Sequence, residues 1–190
     1  TGARSSMELK GSIVSNGVAN RTLSSGDTAW TQSANVTATA DTTDKKEGTG
    51  SADLAVAAGF TTGLAAYSDL SATVDLSSID SVKFWVKYGT TTASGDLELV
   101  LSSDAACATD VLENVDLPVL VANTWTSVTF GISDNSDMTA IKCVGLNLTT
   151  DAGAETANLD NIVAQGQSTS ILVTLANALE GEPIDLSEPG

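Results

Sequence analysis

The segment Ser81 to Tyr88, SVKFWVKY, constrains the fold more than any other part of the chain. Val82, Phe84, Val86 and Tyr88 fall on one side of an extended backbone, and Lys83, Trp85 and Lys87 fall on the other. A helix would scatter both sets around its axis, because side chains repeat every 3.6 residues in a helix and every 2 in a strand. The same alternation returns in short stretches: Ala52, Leu54 and Val56; Leu97, Leu99 and Leu101; Val128, Phe130 and Ile132; Val144, Leu146 and Leu148. NVTATA (Asn35 to Ala40), VDLPVL (Val115 to Leu120) and ANLDNIVA (Ala157 to Ala164) read as further strands. Turn-forming runs such as TDKKEGTG, YGTTTASGD, SDNSD and TDAGAE separate them. This cadence predicts an all-β chain folded as an antiparallel β-sandwich of the jelly-roll type. SSDAACATDVLEN is too short and too polar for a helix and reads as a loop.

The patterned region, residues 25–165, forms one sandwich domain in this reading. Residues 1–24 are a polar N-terminal arm with room for one short strand at MELKGSIV. Residues 166–190 are a C-terminal extension that starts as a strand (ILVTLA) and ends as an acidic tail. Polar termini fray unless something holds them. The arms therefore read as clamps that add strands to neighbouring copies, burying Ile171, Leu172, Val173 and Leu175.

Composition excludes whole classes of function. Eight basic residues stand against 24 acidic ones, a net charge of −16. Neutralising nucleic-acid phosphates or docking on anionic lipid needs the opposite balance. The sequence shows no run of ~20 apolar residues that would span a membrane, and TGARSSMELKG carries no signal-peptide core. There is no histidine, which removes the commonest general base and transition-metal ligand together. Without a G-x-S-x-G elbow, a phosphate-binding loop or a Cys/His set, the chain is not expected to be an enzyme. Cys107 and Cys143 are too few for a disulfide framework. They are either two independent small residues or one bridge, and spacing does not decide between them.

Several phrases occur in one order: KEGTGSADLAV, LSSIDSVKFWVKY, GDLELVLSSDAA, VDLPVLVANTWTSVTFGI, IKCVGLNL and NLDNIVA. Together they resemble the jelly-roll family that includes carbohydrate-binding modules and galactose-binding-like domains. The runs AAGFTTGLAAYSDLSATVDLSS, GDLELVLSSDAA and DLPVLVANTWTSV are more similar still to a group of tailed-bacteriophage virion proteins. That resemblance implies a structural protein on the virion surface, decorating the capsid or mounted on the neck or tail. Its partners would be major capsid, neck or tail proteins and copies of itself. The alternative is a secreted or displayed module that binds a glycan, such as one on a host surface.

The resemblance also implies sites. A structural Ca²⁺ would sit between the early turn and the last strand, on Asp41, Asp44, Glu47 and Asp160 with carbonyls near Lys46 and Ser51. Such a cation takes hard carboxylate and carbonyl oxygens. The competing reading makes these residues turn formers and solvated charges, and the expected acidic residue on a first strand near Trp30 is missing. Sugar binding would use Trp85 as a platform, with Tyr67 and Trp30 in support, unless Trp85 serves a packing interface instead. Trp125 is expected to seal an edge of the sandwich.

Overall fold

In the computed structural model, which describes residues 18–132 and 134–166, the chain is a two-sheet antiparallel sandwich. The strands are β1 (Arg21–Ser24), β2 (Thr31–Gln32), β3 (Val36–Asp41), β4 (Ser51–Val56), β5 (Gly63–Val74), β6 (Ile79–Tyr88), β7 (Leu97–Ser102), β8 (Val111–Asp116), β9 (Thr126–Gly131), β10 (Ile141–Leu148) and β11 (Glu155–Gly166). One sheet runs β3-β4-β11-β6-β9, with β1 also paired to β11; the other runs β2-β5-β10-β7-β8. Only β3–β4 and β7–β8 are hairpins of consecutive strands, while the remaining connections cross between the sheets. Among the described residues no helix is long and apolar enough to cross a membrane.

The alternation of β6 becomes burial. Val82, Phe84, Val86 and Tyr88 are almost fully enclosed, packed with Leu97, Leu99 and Leu101 of β7 and Val144, Leu146 and Leu148 of β10. Phe84 meets Phe130 edge to face, ring centroids 6.3 Å apart, an arrangement aromatic quadrupoles favour. Burial pushes the Tyr88 hydroxyl up to about 12, with Glu155 adding to the effect.

Two expectations change and one open alternative is decided. VDLPVL is not a strand: Val115 and Asp116 end β8, and residues 117–120 leave the sheet. Pro118 has no N–H and restricts the residue before it, while the flanking Leu117 and Leu120 turn in and plug the end of the sandwich. The strand lies earlier, at Val111–Asp116, straddling the end of the stretch read as a loop and the start of VDLPVL. Cys107 and Cys143 are joined in a disulfide. The loop bearing Cys107 is thereby pinned on β10, where the two sulfurs gather Val100, Leu64 and Tyr67. Gly145 leaves the room for this, since a Cβ there would stand 2.7 Å from Leu64 Cδ1 and 3.3 Å from Cys107 Sγ.

Strand β1 lies within the segment read as an arm, paired with β11 through Arg21 and Ala164. MELKGSIV and the proposed clamp residues Ile171, Leu172, Val173 and Leu175 fall outside the described residues.

Candidate functional site

The β3–β4 connection, residues 42–50, folds over the outer face of the six-stranded sheet. Its course follows from four acceptors. Asp41 Oδ1 takes the N–H of Thr43 at 2.7 Å and of Asp44 at 3.1 Å, the side-chain turn that Asp favours. Asp160 Oδ2 takes the N–H of Lys46 at 2.6 Å and of Glu47 at 2.8 Å. Asp27 Oδ1 takes Thr49 N–H at 2.6 Å and Gly50 N–H at 2.8 Å. Finally, the Ser51 hydroxyl donates to the Asp44 carbonyl at 2.7 Å. Gly48 supplies the left-handed backbone, φ +60°, that lets the turn close against Asp27.

Beneath the turn lie Asn158 and Asp160, two residues apart on one face of β11 and essentially without solvent exposure. Asp160 stands in register with Trp85 and Asn158 with Lys87. Asn158 Nδ2 donates to Asp53 Oδ1 at 2.9 Å. Asn158 Oδ1 and Asp160 Oδ1 have no partner at all. Buried acceptors are almost always satisfied, so two such oxygens on one strand face need an account.

Around this seat the charges are organised. Asp44 pairs with the Lys87 ammonium and accepts the Trp125 indole N–H at 2.7 Å. The Lys87 contact, then Trp125, hold its carboxyl below the usual carboxylate range. Lys87 also lies over the Trp125 ring at 5.6 Å and Lys46 over the Trp85 ring at 5.0 Å, within cation–π reach. Trp85 Nε1 donates to Glu47 Oε1 at 3.1 Å, and Asn161 Nδ2 donates to Glu47 Oε2 at 2.5 Å. A bulge in β11 puts Asn161 at φ +47° and turns its side chain toward the turn. Backbone amides of Thr49 and Gly50 lower Asp27, and the Thr43 hydroxyl and amide lower Asp41.

The four expected metal ligands do not share one task here. Asp41 closes its own turn, Asp44 holds Lys87 and Trp125, and Glu47 holds Trp85 and Asn161. Of the four, only Asp160 keeps a buried oxygen without a partner. Among the described residues no three acidic, His or Cys side chains gather in a geometry that would hold a metal ion. Two participants were missed. Asp27, in SGDTAW, supplies an acidic group just ahead of Trp30, and Asn158 stands two residues before Asp160.

The expected sugar platform divides. Trp30 is buried in the core, its indole N–H on Ser24 Oγ at 3.2 Å. Tyr67 sits on the outer face of the five-stranded sheet, packed against the disulfide. Trp85 lies on the opposite outer face and walls a hollow of about 210 Å³ with Asn20, Glu47, Lys83, Asn161 and Gln165. A second hollow of about 370 Å³, between β1 and β5, is lined by hydroxyls and Asp69 but has no aromatic surface. Trp125, half-buried, braces the turn through Asp44 rather than lining either hollow.

No family model matches the chain, and no curated protein does either. Solved structures do. A family 11 carbohydrate-binding module from Clostridium thermocellum, in complex with a β-1,3-1,4-mixed-linked tetrasaccharide, superposes with a TM-score of 0.53 at 10% identity, over 81% of this chain and 98% of that one. A family 30 module of a cellulosomal cellulase of Clostridium thermocellum gives 0.52 at 15% identity, over 80% and 100%. Another family 30 module gives 0.51 at 15% identity, over 86% and 94%. At such identities the likeness establishes the fold: this chain shares the two-sheet sandwich of carbohydrate-binding modules.

Proposed function

We propose that the domain is a non-catalytic carbohydrate-recognition sandwich whose glycan contact is the Trp85 hollow. The observation that carries this is a half-exposed indole set beside amide, ammonium and carboxylate groups. A pyranose offers an apolar C–H face to an aromatic ring and hydroxyls to polar neighbours, which is the mix that small-ligand sites present. The shared fold with sugar-binding modules supports the same reading. Glycoside hydrolysis needs two carboxylates flanking the bond. The described lining of this hollow includes one, Glu47, already engaged by Trp85 and Asn161. Mounting on a virion finds no support among the structural likenesses. A glycan-binding domain is the better-supported role.

A hard divalent cation belongs to the proposal. Asn158 Oδ1 and Asp160 Oδ1 are buried, unpartnered oxygens, the donor chemistry Ca²⁺ takes together with turn carbonyls. Bound there, the ion would neutralise the Asp160 carboxylate and supply the missing partner for both oxygens.

The test is a glycan array followed by calorimetry on the hits. Trp85→Ala should weaken binding about tenfold or more, equivalent to ~1.4 kcal/mol, whereas Tyr67→Ala on the far face should leave it unchanged. Undiminished binding in Trp85→Ala, or no hit across the array, would overturn the proposal.

A further inference from the structure

We infer that the 42–50 turn couples the cation seat to the Trp85 hollow, so that filling one shapes the other. The inference rests on the cation reading above. Asp160 divides its two oxygens between the two sites. Oδ2 holds the backbone N–H groups of Lys46 and Glu47, and Oδ1 is left without a partner, as is Asn158 Oδ1 two residues earlier on the same strand face. The two residues whose amides Asp160 holds are the two whose side chains dress Trp85. Lys46 lies over the ring, and Glu47 accepts the indole N–H. The next residue along β11, Asn161, holds the other oxygen of Glu47. Two adjacent strand residues thus fix both the backbone and the side chain of Glu47.

The physical consequence runs in both directions. Without a cation, an enclosed carboxylate with an open oxygen favours hydration, and the turn, held on its other oxygen, is one of its covers together with the backbone at Gly26. Lifting the turn withdraws Lys46 and Glu47 from Trp85 and removes one wall of the hollow. With a cation the charge is met, the turn stays seated and the hollow keeps its shape. Linkage then requires that a ligand in the hollow tighten cation binding by the same factor, on the order of fivefold or more for couplings of this kind.

The experiment uses Ca²⁺ alone on the full chain, by calorimetry and tryptophan emission in parallel, so it does not depend on any glycan being found. Expected are saturable binding and an emission change with the same midpoint. Trp85→Phe should remove that change. In Glu47→Ala, which cuts an exposed tether, the emission change should vanish while the heat of binding remains. Slower hydrogen exchange at the Lys46 and Glu47 amides in Ca²⁺ than in chelator would give independent support. Binding without a Trp85 signal, or a signal that survives Glu47→Ala, overturns the coupling and leaves the cation seat standing. Absence of both heat and signal at millimolar Ca²⁺ overturns the two together, and glycan binding by Trp85 would still be judged on its own assay.

Discussion

Opening the Cys107–Cys143 bridge should cost the fold several kcal/mol, nearly all of it through the unfolded chain. The two cysteines are 36 residues apart. Closing a loop of that length removes about 13 cal/mol/K of denatured-state entropy, or about 3.8 kcal/mol at 25 °C. For a domain of ~150 residues, where each kcal/mol moves the midpoint roughly 2–4 °C, the drop should be about 8–15 °C. The folded state gives back little of this, because the loop is held without the bridge. Asp104 Oδ2 accepts Ala108 N–H at 2.9 Å, Cys107 N–H donates to the Asp104 carbonyl at 3.1 Å, and the Ser102 hydroxyl donates to the Thr109 carbonyl at 2.6 Å. Thermal unfolding by circular dichroism, with and without a dithiol reductant, reads the effect. A Cys107→Ala/Cys143→Ala double variant controls for incomplete reduction of these buried sulfurs. A loss below about 1 kcal/mol would refute the reasoning, since it would mean that the reduced unfolded chain already keeps these positions close.

Gly26→Ala should destabilise by about 1–2 kcal/mol, the cost of left-handed backbone to an L-residue, because Gly26 sits at φ +78° and an added Cβ would stand 2.9 Å from the Leu159 carbonyl oxygen; a urea midpoint measures it, and an unchanged midpoint would count against the backbone placement beside Asp160. Acid should loosen the turn first: Asp27, Asp41 and Asp44 all have carboxyls held below 3.8 in the fold, so their contribution is complete above that value and is lost as pH falls through the lower folded values. Tryptophan emission followed downward from pH 5 should therefore change before far-ultraviolet dichroism does, and simultaneous loss of both signals would show that the turn has no separate acid response.

How much of this was legible in the sequence depends on which physical signal each element carries. β6 is unmistakable because it is covered on one face by the core and carries long polar or amphipathic side chains on the other. β5 is as long as any strand, yet Ala65, Ala66, Ser68 and Ser71 blur its period, since small side chains fit either face. β8 is an edge strand whose Glu113 and Asn114 mimic loop composition, while Pro118 and its neighbours imitate a strand by hydrophobicity alone. The disulfide needed the pairing of β7 with β10, which brings Cys143 opposite Ser102 and so beneath the 103–110 loop; spacing holds none of that. At the candidate site, the family resemblance singled out Asp160, and Trp85 stood out as the aromatic on the polar face of its strand. Their adjacency could not be read that way, because it comes from the register of β11 on β6, and the role of Asn158 follows only once a nine-residue turn is known to lie over it.

The charge pattern of the turn bears on what the hollow can hold. Lys45, Lys46, Lys83 and Lys87, half of the eight basic residues in the chain, lie on or beside this one face. The fold answers them with Asp41, Asp44, Glu47 and Asp160, most of them tied to a lysine, an indole or a backbone amide. With Asp27 on the turn amides and Asp53 on Asn158, six carboxylates stand against four lysines, so the face carries only a small part of the chain's −16. A polyanion would meet repulsion from the net-negative protein during approach, and a polycation would be drawn to it without preference for this face. A neutral, hydroxyl-rich chain meets neither field and gains only from contact with the indole and its polar rim. Under the proposed glycan reading, the concentration of lysines around Trp85 lowers the local negative charge and suits an uncharged polysaccharide better than a polyanion or polycation.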